Sequence, residues 1–245
     1  MLELVDKYEK VLCKNNFHFK GGFMELENKD ICTKCGGKCC KKSGCDYFVS
    51  DFDLINKNRL LEILATGNVS ITSALNIKML PNGQKYIVPF LYLRARNKGR
   101  DVIDLFSLKR ECIMLTSTGC SYSFDNRPGG GANLIPDKNG NCHPYKNPYE
   151  EMVKWAPYQS ILSKLVKRYT GKSVDVVLKE NIEQVCFDVL TKNFDGVSSL
   201  EIEDITSCIG EIVEVYPDCY KNALEKARQV MILKRVWLQS NTLIY

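Results

Sequence analysis

The stretch ALNIKMLPNGQKYIVPFLYLRARNKGRDVIDLFSLKREC, residues 74–112, decides the fold class. Two turn signals punctuate it, Pro81-Asn82-Gly83 and Asn97-Lys98-Gly99. Between and around them lie segments rich in Ile, Val, Tyr, Leu and Phe, which suit a pleated, half-buried surface. Glycine supplies the backbone angles a tight turn needs, and proline and asparagine fix or tolerate the rest. The pattern predicts a two- or three-stranded antiparallel meander over 75–107, closing at Cys112.

Helical signals flank this meander. DFDLINKNRLLEILATG, residues 51–67, reads as a helix with Asp51 as N-cap and Gly67 as its stop. Leu2, Leu4, Val5, Tyr8 and Leu12 fit one face of a short helix over 2–13. From Tyr149 onward, helical periodicity takes over. Four helices are expected near 149–170, 173–193, 199–215 and 217–239, punctuated by Gly171, Asn193–Gly196 and Pro217. The expected fold is mostly α with a small antiparallel β meander, an α+β chain. Residues 1–148 form a cysteine-rich metal-binding region, and 149–245 a helical region packed on it. A long parallel sheet is not expected.

Composition narrows the function classes. The chain has 245 residues, 44% of them hydrophobic and 26% charged, the balance of an ordinary soluble globular protein. A chain of this length buries a core without covalent staples, so its twelve cysteines are not compensating for a missing one. Charges at Glu3, Asp6, Lys7, Glu9 and Lys10 interrupt the N-terminus, which carries no signal-peptide core. No window approaches the ~18 apolar residues of a membrane span. A cytoplasmic protein is expected, where clustered cysteines bind metal or do redox work rather than form structural disulfides. The net charge of +5 is spread along the chain and reads as a solvated basic surface.

The cysteines fall into two groups. Cys186 in IEQVCFDVL and Cys208 in ITSCIGEIV sit in apolar helical contexts and read as small buried hydrophobes. Cys13 and Cys219 are read as core or surface thiols. The other eight have ligand-like spacing: Cys32, Cys35, Cys39, Cys40 and Cys45 as C-x2-C-x3-C-C-x4-C, then Cys112-x7-Cys120-x21-Cys142. Two thiolates separated by two residues reach one metal from a single turn. Gly36-Gly37 after Cys35 lets the chain bend back with its amides toward sulfur, which stabilises thiolate charge. A thioredoxin-like redox pair at Cys32/Cys35 would need a βαβ frame that is absent. Adjacent residues in extended backbone point to opposite sides, so Cys39 and Cys40 either divide ligating from packing or serve two sites. Zinc and a cubane cluster each want four ligands, and spacing does not choose between them. The order C-x3-C-x2-C of radical-SAM enzymes is not present. His143 beside Cys142 is a conceivable ligand but reads as a surface-loop histidine, as His18 does more strongly. RPGGGANLIP lacks the strand–loop–helix context of a phosphate cradle, and its three glycines mark irregular backbone.

At these residues the chain resembles the YkgJ-like cysteine-cluster family, zinc- or iron-chelating proteins with a CxxCxxCC motif. The likeness rests on C-x2-C-G-G-K-C-C at 32–40 and on C-I-M-L-x3-G-C at 112–120 with Arg127-Pro128 following. The second family block has the form C-x2-L…C-x-Y…R-P-x2-C. Here Gly129, Gly130 and Gly131 stand where its last cysteine would be, and either Cys142, from a longer loop, or Cys45 takes that place. Through its cysteine pattern the family is similar, more distantly, to the N-terminal part of flagellin lysine methylases, which implies a cubane iron–sulfur cluster. Methyl transfer and a SAM site are not carried over.

Three functions compete. The first is an iron–sulfur (4Fe-4S) enzyme modifying a small molecule, peptide or protein, favoured because eight thiols exceed what one structural zinc needs. The second is a structural zinc adaptor whose helical region binds a partner. The third, nucleic-acid binding through Lys34, Lys38, Lys41 and Lys42, lacks interleaved aromatics and is disfavoured. Spatially, Cys32, Cys35 and Cys39 or Cys40 are expected to meet Cys112 and Cys120, with the meander returning the chain to the site. Arg127, with up to five donors, is expected to support the thiolates from behind. The Gly129–Gly131 loop is expected to line an exposed cavity.

Overall fold

A computed structural model describes residues 36–117, 119–122, 127–136 and 142–241, with backbone alone at Cys39, at Pro136 and at 233–241. The expected helix over 2–13, with Cys13, His18, Cys32 and Cys35, lies outside the described residues. The fold is α+β: among the described residues about half are helix and a fifth strand, the strands in small antiparallel pairs. No described helix is long and apolar enough to cross a membrane.

The expected meander is a long hairpin. β1 (Val69–Met79) pairs antiparallel with β2 (Lys85–Ala95), residue for residue from Val69↔Ala95 to Met79↔Lys85. Gly83, at φ +82°, closes the turn, where its amide donates to the Leu80 carbonyl at 2.9 Å. Of the expected two- or three-stranded alternatives the structure has the two-stranded one, and beyond Gly99 no third antiparallel strand is added. Residues 102–105 cross to the outer edge of β1 and pair with it in parallel through an isolated Ile71↔Ile103 bridge. The Ile71 amide donates to the Val102 carbonyl and the Ser73 amide to that of Leu105. The free edge of β2 is met by residues 45–47, where the Tyr47 amide donates to the Leu93 carbonyl and the Ala95 amide to that of Cys45. The base of the hairpin is thus covered on both edges, which satisfies backbone groups that would otherwise template aggregation.

The first cysteine-bearing helix, α1 (Lys38–Lys42), precedes this edge segment. The helix expected from Asp51 starts later, as α2 (Lys57–Ala65). Its N-cap is Asn56, whose side chain accepts from the Arg59 amide at 2.9 Å. Asp51 instead ends a short 3-10 turn, Val49–Asp51, and its carboxylate accepts from the Phe48 and Gly129 amides. Gly67 does follow the helix, in the left-handed region at φ +70°.

After the hairpin come two minimal ribbons, β3 (Leu115–Thr116) with β4 (Gly119–Cys120), and β5 (Leu134–Pro136) with β6 (Cys142–Pro144). Between them the glycine run is one helical turn, α3 (Gly129–Ala132), not the irregular backbone expected from composition. The expected helix over 149–170 is two, α4 (Pro148–Val153) and α5 (Gln159–Thr170), divided by a 3-10 turn at Ala156–Tyr158. Pro157 explains the break: its ring excludes the preceding helical carbonyl, and it has no amide to donate. Then α6 (Val174–Thr191) is capped by Ser173 and α7 (Ser199–Val215) by Ser198; α8 (Pro217–Asn241) opens on a proline, which costs nothing at a first helical position.

The helices pack on the hairpin around one large core. It holds Leu60, Ile71, Leu91 and Leu93 from the first region with Trp155, Leu162, Leu165, Leu178 and Ile182 from the second. Full burial of such a side chain stabilises by roughly 1.5–3 kcal/mol. Trp155 is completely buried, and its indole nitrogen donates to the Tyr47 carbonyl at 3.0 Å. Gln159 accepts from the Leu91 amide and donates to the Leu91 carbonyl, and its amide nitrogen also donates to the Trp155 carbonyl. Cys186 and Cys219 belong to this core, as small hydrophobes do, and burial pushes the Cys186 thiol up to about 11. A second, small core consists of Cys40, Ala95, Cys112 and Leu115.

Candidate functional site

The small core lies at the end of β2, where the chain returns four times. Gly44 packs so closely on the Ala95 carbonyl that a Cβ there would overlap it. The Gly44 amide donates to the buried side chain of Asn97 at 2.7 Å, and Cys45 is hydrogen-bonded to Ala95. These contacts fix Cys45 beside the strand end. Cys112 bridges Asn97 from the other direction, and its amide donates to the Cys40 carbonyl at 2.7 Å. Cys120 stands opposite Leu115 in the β3–β4 ribbon, and Cys142 opposite Pro136 in the β5–β6 ribbon.

All five of these cysteines line one cavity. Arg127, Tyr122, Met114, Gly131 and Leu134 complete much of its wall, around an interior of about 40 Å³ that opens to solvent. Cys40 and Cys112 are buried, at 5% and 3% exposure, while Cys45, Cys120 and Cys142 are half-buried. Among the described residues, no three His, Cys, Asp or Glu side chains converge to hold a single ion; the thiols border a shared space instead.

The glycine turn is part of this wall. Gly129 lies against the Phe48 ring and Asp51, and a Cβ on Gly130 would come within 2.7 Å of the Asp46 carbonyl oxygen. A Cβ on Gly131 would stand 3.1 Å from the Cys45 sulfur. The Gly130 amide donates to the Asp46 carbonyl at 2.9 Å and the Gly129 amide to Asp51 at 2.6 Å. Three side-chain-free residues let α3 dock flush on 45–51 and bring its backbone against a thiol. Gly37, at φ +74°, does the same on the other side, where a Cβ would crowd Leu115.

Electrostatics around Cys120 are mixed. Burial pushes its thiol upward, and the neighbouring Cys40 sulfur, with which it shares a hydrogen bond, acts the same way. The Tyr122 amide donating to its sulfur and the Arg127 guanidinium pull it down. Both downward influences favour thiolate, the form that binds metal. The phenols of Tyr47 and Tyr122 share a hydrogen bond, and burial raises the Tyr47 phenol far above its ordinary range. Asp51 is raised by burial, with its two amide donors opposing.

Of the eight expected ligands, Cys40, Cys45, Cys112, Cys120 and Cys142 come together. Cys32 and Cys35 lie outside the described residues, and Cys39 is described by its backbone in α1 alone. Arg127 lines the same cavity. His143 is exposed on β6 and is not part of the wall. Sequence reasoning missed Ala95, Met114, Leu134 and Tyr122 as wall residues. Only Tyr122 carried a signal, its place two residues after Cys120. No family model, curated protein or solved structure matches this chain. The site is read from its own chemistry.

Proposed function

We propose that the chain holds an iron–sulfur cluster, a four-iron cubane, and uses it to modify a small molecule, peptide or protein. The observation that carries this reading is the meeting of five cysteines and Arg127 on one open-mouthed cavity. Four thiolates drawn from these five and from Cys32, Cys35 and Cys39 would hold the group, as the YkgJ-like resemblance implies. An all-thiol donor set suits iron–sulfur or zinc, not the hard oxygen-seeking cations. Such a cluster, when bound, supplies electron transfer at a potential set by charge, hydrogen bonds and exposure.

The protein's own part is legible in the same residues. The Tyr122 amide and Arg127 offset negative charge at Cys120. The glycine turn keeps side chains out of the approach to Cys45. The cavity opens to solvent, and a thiol-rich site of this kind fits a cytoplasmic, reducing setting. Nucleic acid is not the proposed partner.

A structural zinc is the second reading, favoured by the burial of Cys40 and Cys112 and their direct main-chain bond. A closed four-thiolate zinc holds the fold and does no chemistry. Anaerobic purification with iron, zinc and sulfide analysis separates the two. The cluster reading expects a brown protein with iron and acid-labile sulfide. Stoichiometric zinc without either would replace it with the adaptor.

A further inference from the structure

Past its base, the hairpin has one open edge. The Ile71 and Ser73 amides point away from β2 and are taken by the Val102 and Leu105 carbonyls. The register with β2 is unbroken as far as Met79↔Lys85, so the alternation carries on. Leu75, Ile77 and Met79 therefore turn their amides and carbonyls to that same outer side. Among the described residues nothing bonds them there. The opposite edge is blunted, because Gln159 occupies Leu91 and Pro89 has no amide to offer. β1 has few of the devices that protect an edge. It holds no proline and no bulge, and Lys78 is its single charge. Met79 and Leu80 are exposed beside this edge, as are Tyr86 and Val88 on the neighbouring strand.

We propose that the Leu75–Met79 edge pairs antiparallel with the same edge of a second copy, giving a symmetric dimer whose sheet runs β2–β1–β1–β2. The edge is self-complementary in one register. With Ile77 on the two-fold axis, Ile77 faces Ile77 of the second copy and Leu75 faces its Met79. Each of these three residues then exchanges both backbone bonds with the residue opposite, as an antiparallel ladder requires. A centre nearer the base brings the row against Ser73, whose amide is already bonded to the Leu105 carbonyl. A centre nearer the tip brings it against Pro81, which has no amide. The side chains agree with the Ile77 centre. Leu75, Ile77 and Met79 meet as apolar pairs on one face. On the other, Lys78 stands opposite Asn76 of the second copy, so like charges do not face each other. This match of the edge with itself favours a second copy over an unrelated strand. The dimer is independent of what the cavity holds.

The test follows the full chain by sedimentation over a concentration series, with dithiothreitol present so that cysteine cross-links are not counted. A monomer–dimer equilibrium is expected. Asn76→Asp sets a carboxylate opposite Lys78 at two symmetric places and should tighten the dimer roughly 2–30-fold. Asn76→Lys sets like charges opposite each other and should loosen it by a similar factor. Ile77→Pro removes an outward amide without touching the ladder to β2, and should leave a monomer. If that variant folds poorly, the two Asn76 variants still decide, since neither alters the backbone. Amide exchange locates the contact. Leu75, Ile77 and Met79 should exchange more slowly at dimer concentrations than in dilute monomer, while Asn76 and Lys78, whose amides face β2, should not change. A chain that stays monomeric to its solubility limit overturns the dimer. A dimer that neither Asn76 variant shifts, or whose Ile77 amide gains no protection, overturns this edge as the interface.

Discussion

Cys186 and Cys40 are almost equally hidden, at 1% and 5% exposure, yet they belong to different kinds of core. Cys186 lies among Leu178, Ile182, Trp155 and the hairpin, in a cluster large enough to hold itself together by burial. Cys40 lies with Ala95, Cys112 and Leu115, a cluster too small to do so. Four buried residues cannot offset the entropy of ordering the loops that supply them, at ~1–2 kcal/mol per residue of backbone. The small core is stabilised instead by main-chain bonds to the strand end and, on the proposed function, by whatever its thiols hold. The same side chain is a methyl-sized filler in one place and a donor in the other, and its neighbours decide which.

The largest test of this contrast is Trp155→Ala. It should destabilise the whole chain by about 3–5 kcal/mol, the range for emptying a buried aromatic site, seen as a lower urea midpoint. A loss confined to the cysteine region would show that Trp155 does not support the large core as described.

The second test is pH. The fold raises the Cys186 thiol from 9.0 to about 11, chiefly by burial, with Cys219 adding to it. The folded state therefore holds this proton more tightly than the unfolded one. Stability from this group is intact below pH 9.0 and declines as pH rises toward about 11. The full shift corresponds to roughly 2–3 kcal/mol. Denaturant melts between those limits should show the decline, and Cys186→Ala should flatten part of it. An equal slope in the variant would mean that Cys186 is not buried as a neutral thiol.

Third, Arg127→Ala should reduce metal retention by the roughly 10–100-fold typical of losing a group behind the ligands, with the urea midpoint unchanged. Metal analysis after timed chelator exposure reads it. Retention equal to that of the unaltered protein would make Arg127 a bystander on the wall. Smallest, Asn56→Ala should cost about 1 kcal/mol through the lost cap of α2 and leave metal content alone. Asp51→Ala should spare α2 and loosen the glycine turn, measurable as faster amide exchange at Gly129. If Asp51→Ala instead frays α2, the cap assignment is wrong.

Those last two variants mark where sequence stopped being legible. The hairpin was readable because Pro81-Asn82-Gly83 separates two β-rich runs, and the later helices because Ser173, Ser198 and Pro217 are local start signals. The sharing of one cavity by Cys40, Cys112 and Cys120 is the part of the expected convergence that the described residues show, since Cys32 and Cys35 lie outside them. Asp51 looked like a cap because its type is right, but its acceptors were taken by Phe48 and by Gly129, far away in sequence. No local pattern encodes that. The parallel crossing of 102–105 to the far edge of β1 is likewise a choice between two edges made by tertiary packing. Pro157 was different: its helix-breaking chemistry was in plain view, outweighed by the periodicity around it. The glycine turn was misread because helix propensity disfavours glycine, whereas contact with Phe48, Asp46 and Cys45 requires it.

The cavity wall draws its thiols from points spread between Cys40 and Cys142. During synthesis, therefore, the nascent chain displays its first thiols long before their partners have left the ribosome. β2 must already be docked, because its final residues are the bench on which Cys45 and Cys112 are set. Distant pairings of this kind form late and slowly, since loop closure precedes any reward. The early thiols thus spend an interval unsheltered, and the order in which the ribosome delivers the segments governs when the cavity can first exist.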